Sequence, residues 1–127
     1  GGTIDAIITQ MRVKRLVIDS ITSFALLFQD ELTQKESSLA LFELINRWGC
    51  TALLTSQAIQ LSPEDLSAQL QFEVDSITIL YHFKKSGVRH RAVEILKMRG
   101  TKTPEKTVKV DIGKEGILVF PDEIATA

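Results

Sequence analysis

The chain has 127 residues, 44% of them hydrophobic, which suits a single domain spanning 1–127 with a real buried core and excludes a disordered chain. Fifteen Lys+Arg against sixteen Asp+Glu leave a net charge of −1, so no global basic field draws it to nucleic acid or membrane, and no apolar run approaches the ~20 residues of a membrane span. The lone Cys50 excludes an internal disulfide framework or a Cys-based zinc site and fits a reducing, cytoplasmic setting, and the opening GGTIDAIITQMRVK lacks the basic start and apolar stretch of a signal peptide.

Ile4, Ile7, Ile8 and Met11 recur at i, i+3, i+4 and i+7, which predicts a short helix ending near Arg12 with one apolar stripe. Residues 15–20, RLVIDS, have a continuous apolar centre and predict a strand buried on both faces, as in a parallel sheet. A helix follows over 33–48: Thr33 and Glu36 make a T-x-x-E capping box, and Leu41, Leu44, Ile45 and Trp48 lie along one side. Gly49 stands where a left-handed C-cap is wanted. Residues 50–56, CTALLTS, predict a second central strand, and strand, helix and strand in that order make a βαβ unit with a parallel sheet.

Residues 57–73 are the least regular stretch, in which Ser62-Pro63-Glu64-Asp65 reads as the opening of a short helix. Strands are then expected over 74–81 and 88–99, joined by a turn at 84–87, and over 107–112 and 117–120, joined by a turn at 113–116. In the 88–99 strand, alternation places Val93, Ile95 and Lys97 on one face and Ala92, Glu94 and Leu96 on the other. The expected fold class is therefore α/β, a parallel βαβ sheet continuing into C-terminal antiparallel hairpins. There is no internal repeat.

Asp19 carries the strongest chemical signal. At the carboxyl end of a buried strand, where α/β folds bind their ligands, an Asp can hold magnesium; as an isolated tetrapeptide, VIDS reads equally well as a turn or a helix N-cap. Thr55, Ser56 and Gln57 close the next strand, where a polar side chain faces the same crevice; ordinary turn chemistry also accounts for them. Lys97 and Arg99, two residues apart on one face, make a phosphate clamp or a solvated strand end. Eight of the fifteen Lys+Arg lie between positions 84 and 106, so some are simply surface.

Other candidates are plainer. No G-x-x-x-x-G-K-[ST] run occurs; Gly100-Thr101-Lys102-Thr103 and Gly113-Lys114-Glu115 are near misses. His82 and His90 have no ligand spacing for a metal and read as exposed hairpin residues. Cys50 reads as packing, and Asp30 and Glu31 as a loop or helix start.

Residues 13–22 (VKRLVIDSIT), then CTALLTSQ, then VEILKMRGT at 93–101 and ILVFP at 117–121, in this order and spacing, resemble the KaiC-like branch of the RecA superfamily ATPases. The resemblance covers about residues 4–121 and implies a partial RecA-like P-loop NTPase core. It implies that Asp19 is the Walker B aspartate and magnesium ligand, and that Gln57 lies at the phosphate-sensing strand end. It also implies that Lys97 and Arg99 reach a neighbouring subunit's nucleotide in trans, with Ser20 and Thr101 among the nucleotide-binding residues. ATP and Mg2+ are the implied cofactors, and a hexamer-like homo-oligomeric ring the implied assembly of the full-length protein.

The family's P-loop and catalytic glutamates would lie before Gly1, so the chain reads as the C-terminal part of an ATPase domain, inactive alone. The family histidine after RGT is absent from Lys102-Thr103-Pro104-Glu105. Two other readings stand beside this one: a non-catalytic RecA-like interaction module, and a recombinase-related DNA-associated fragment. Residues 48–83 hold no Lys or Arg, which disfavours DNA strand exchange through that stretch and leaves DNA contact open only for the basic 84–106 region.

Overall fold

The computed structural model describes residues 2–21, 23, 27–57 and 74–125, which belong to two compact units, Gly1–Gln60 and Leu61–Ala127. The first unit holds helix α1 (Gly2–Met11), strand β1 (Arg15–Ile18), helix α2 (Glu31–Trp48) and strand β2 (Thr51–Leu54). β1 and β2 pair in parallel, Arg15 with Thr51 through Ile18 with Leu54, with α2 as the crossover between them. The second unit holds β3 (Ser76–Lys85), β4 (Val88–Met98), β5 (Val108–Gly113) and β6 (Gly116–Ile124), an antiparallel sheet in the order β3-β4-β5-β6. The mixed fold class expected from the sequence is the one observed. The helix start expected at 62–65 lies outside the described residues.

Several local expectations need correction. The N-cap of α2 is Asp30, not Thr33: Asp30 Oδ1 accepts the Thr33 N–H at 2.8 Å, and its Oδ2 accepts the Thr33 hydroxyl at 2.6 Å. The helix therefore begins at Glu31, and Thr33 sits inside its first turn. This cap holds the Asp30 carboxyl below its ordinary pKa, chiefly through the Thr33 hydroxyl and then the Thr33 N–H. At the other end Gly49 is left-handed, φ 67°, and its N–H returns to the Asn46 carbonyl, as expected.

β1 stops at Ile18 and is not buried on both faces: Val17 and its partner Leu53 are each 63% exposed, because among the described residues the parallel sheet has only two strands. On α1 only Ile8 is buried, while Ile4, Ile7 and Met11 are exposed. On α2 the buried residues are Phe42 and Ile45, with Leu41, Leu44 and Trp48 half-buried along the same side. The Trp48 Nε1–H donates to Asp5 Oδ1 at 2.7 Å, tying α2 to α1. Half-buried Cys50 donates its Sγ–H to the Val13 carbonyl at 3.2 Å.

In the second unit β3 and β4 are joined by only two residues, Ser86 and Gly87, both with positive φ, a hairpin turn that matches the strand twist. β6 runs on through Pro121 to Ile124. It does so across a register shift, with Val108 opposite Ile124 and Lys109 opposite Phe120, where a residue lacking N–H costs no ladder bond. Lys109 Nζ lies 5.1 Å from the Phe120 ring centroid. Ile77, Ala92, Val108 and Val110 are the buried apolar residues of this sheet.

Candidate functional site

Because β1 and β2 are parallel and in register, Asp19 and Thr55 each follow a paired residue, Ile18 and Leu54, at the same carboxyl edge. The Thr55 hydroxyl donates to Asp19 Oδ1 at 2.7 Å. The ladder is carried past the strand ends by the Thr55 N–H to the Ile18 carbonyl at 3.0 Å and the Ile21 N–H to the Thr55 carbonyl at 2.9 Å. The peptide between Asp19 and Ser20 is cis. Ser20 Oγ accepts the Ser23 N–H at 3.2 Å and lies 3.1 Å from Ser23 Oγ, so it caps the next turn. Asp19, Thr55, Ser56 and Gln57 are exposed at this edge.

The edge thus gathers one carboxylate, several hydroxyls and an amide, all of them hard oxygen donors. Among the described residues no group of three His, Cys, Asp or Glu is close enough to hold a metal ion alone. Mg2+ is ordinarily held by one or two carboxylates together with waters and substrate phosphates, so this donor set fits it. Thr55 is the residue that sequence reasoning left without a role of its own. Its signal was present in the matched polar residue after each apolar run.

The second group, Lys97, Arg99 and Thr101, stands at the carboxyl end of β4 in the other unit. Here the expected alternation fails. Ile77 pairs with Lys97 but Thr78 pairs with Ile95, so Leu96 is an extra, bulged residue. Directly opposed residues share a face, so Lys97 lies on the face of buried Ile77, opposite to Ile95. Arg99 stays with Lys97. Its N–H donates to the Asp75 carbonyl at 2.8 Å, and its guanidinium pairs with the Asp75 carboxylate at 2.9 Å. Gly100 turns the chain with φ 77°, and the exposed Thr101 donates its N–H to the Met98 carbonyl at 3.1 Å. The structure therefore brings Asp19, Ser20 and Gln57 to one sheet edge, and Lys97, Arg99 and Thr101 to one strand end.

A family model described as ATPase: KaiC matches residues 2–124. The chain is 32% identical over 118 residues to a UPF0273 protein of Methanocaldococcus jannaschii, covering 92% of this chain and 48% of that protein. It is 31% identical over 118 residues to the circadian clock oscillator protein KaiC of Synechococcus elongatus, covering 90% of this chain and 22% of that protein. Among solved structures, a KaiC-like protein of the hyperthermophilic archaeon Pyrococcus horikoshii matches with a TM-score of 0.73 at 34% identity, over 93% of this chain and 51% of that one. The chain therefore spans about half or less of the length of these relatives. With its parallel βαβ unit, its Asp19 edge and a family match along nearly its whole length, the chain belongs to the KaiC family of ATPases.

Proposed function

We propose that this chain supplies the magnesium-binding edge and the basic strand end of an ATP-hydrolysing KaiC-like domain. The observation that carries the reading is the Asp19 carboxylate at the carboxyl edge of the parallel strands, with one oxygen engaged by Thr55 at 2.7 Å. A bond to Oδ1 orients the carboxylate and leaves Oδ2 for a cation or its water. Asp19 would hold Mg2+, directly or through water, and the metal, when bound, neutralises charge on the phosphate oxygens. In this reading Gln57 sits where a terminal phosphate is sensed, with Ser20 beside it, and Thr101 is a nucleotide-binding residue of the β4 strand end.

Lys97 and Arg99 act on the nucleotide of a neighbouring subunit in a ring. The exposed ion pair with Asp75 holds Arg99 only loosely, since such pairs contribute about 1 kcal/mol or less. A phosphate offers a stronger, bidentate partner. The 127 residues contain no G-x-x-x-x-G-K-[ST] run. The triphosphate is therefore cradled by other residues of the whole protein, and this chain alone neither binds ATP tightly nor turns it over.

Asp19→Asn in the whole protein is the test. The amide is nearly isosteric but cannot supply the charge that holds magnesium, so ATP turnover falls about 100-fold or more while the far-UV circular dichroism is unchanged. A variant that turns over ATP at the parental rate would show that Asp19 serves the turn and not the metal.

A further inference from the structure

The β3–β4 hairpin carries a charge pattern that the ATPase reading does not use. Residues 82–91, HFKKSGVRHR, hold four Lys+Arg, two His and no Asp or Glu, in a chain whose overall charge is −1. The register sets two of these cations against each other: Lys84 lies directly opposite Arg89, with Arg91 on the same face opposite His82. Like charges facing each other across a sheet are destabilising. Among the described residues the Arg99–Asp75 and Lys109–Asp111 ion pairs involve none of Lys84, Arg89 and Arg91, and all three side chains are exposed. A single Lys suffices to protect a strand edge from unwanted pairing; Lys84, Arg89 and Arg91 together on one face exceed that need.

The shape narrows the partner. The β4–β5 ladder includes Arg91, Ala92 and Val93 but none of residues 88–90, so the rungs nearest the turn are paired only to each other. They form a two-stranded ribbon, a width that the major groove of duplex DNA admits. The aromatic residue of the tip, Phe83, stacks on His90 with ring centroids 5.6 Å apart, on the face away from Lys84 and Arg89. The cationic face therefore lacks a Phe, Tyr or Trp ring, its one ring being the smaller imidazole of His82, so phosphate contact outweighs base stacking there, which favours a duplex over a single strand.

We propose that the hairpin of β3 and β4 is a duplex-DNA-binding arm that grips phosphates through Lys84, Arg89 and Arg91, without reading base sequence. Binding of this kind releases counterions, so its affinity falls with salt with a slope of about −0.9 per phosphate contact.

The test is fluorescence anisotropy of the chain with a labelled duplex of about 20 base pairs, titrated from about 50 to 200 mM salt. Three contacts give a slope near −2.7. Lys84→Glu/Arg89→Glu weakens binding about tenfold or more and flattens the slope by about 1.8, whereas Lys84→Arg/Arg89→Lys retains both. Lys102→Glu/Lys106→Glu, the same charge change elsewhere, leaves most of the affinity. Circular dichroism confirms that each variant is folded. The proposal is overturned by any of three results: no salt-dependent binding to the duplex, equal loss in the two Glu variants, or tighter binding to the single strand or to phosphatidylserine vesicles than to the duplex.

Discussion

Thr55 touches Asp19 through one hydrogen bond, and its contribution is directional rather than electrostatic. Holding one carboxylate oxygen fixes which way the other points, and groups that orient a metal ligand commonly contribute 10–100-fold in metal affinity or activity. Thr55→Val in the whole protein should raise the Mg2+ concentration for half-maximal ATP turnover about tenfold, and Thr55→Ser should restore it. A shift in turnover alone, with the Mg2+ dependence unmoved, would assign Thr55 to folding instead. The position of Asp19 at the strand end was legible in the sequence, because it directly follows an apolar run. Its partner was not, since nothing in TALLT states that Leu54 pairs with Ile18.

At the scale of elements, α2 depends on the cap at Asp30. The carboxyl pKa lies below its ordinary 3.8 in the folded chain, so the cap's charge-dependent stability is fully present above about pH 4. It is lost as the pH falls below 3.8 through the lowered folded value. Asp30→Ala should lower Tm by a few degrees at neutral pH. Asp30→Asn should fall between, since its amide can accept the Thr33 N–H but cannot accept both Thr33 bonds. The Tm gap between the parent and Asp30→Asn should close on acidification, which thermal melts from pH 6 to pH 3 would measure; a gap constant across that range would refute the cap's charge dependence. The bulge at Leu96 belongs to the same scale. One inserted residue moves Lys97 to the face opposite Ile95, yet keeps it with Arg99.

For the whole molecule, the proposed ring turns on whether Arg99 acts on a neighbouring subunit's nucleotide or within its own chain. Arg99→Ala removes an exposed ion pair, so Tm should change little. A finger acting in trans can contribute ~10³-fold or more, so ATPase activity should fall steeply. Mixing Arg99→Ala with a P-loop-dead variant of the whole protein should restore part of the activity, because some interfaces then join an intact P-loop to an intact Arg99. Co-assembly without rescue would place Arg99 in its own subunit's chemistry or outside it. Among the described residues no helix is long and apolar enough to cross a membrane, and the exposed apolar residues Ile4 and Met11 belong to α1, Val17 and Leu53 to the two-stranded sheet of the first unit.

The amino-acid sequence by itself determined the order of elements, the change from parallel to antiparallel pairing, and the Asp19, Lys97 and Arg99 candidates. Those follow from local hydrophobic period, turn residues and strand-end polarity, all carried by neighbouring positions. Tertiary structure decided which of two good capping residues starts α2, because Asp30 and Thr33 differ only in which backbone N–H each can reach. It decided the bulge, because Ile95 and Leu96 are both apolar and only their partners Ile77 and Thr78 show which one is extra. It decided the Asp19–Thr55 bond and the opposed cations of the hairpin as well. Each depends on strand register, a relation between distant segments that no local pattern encodes.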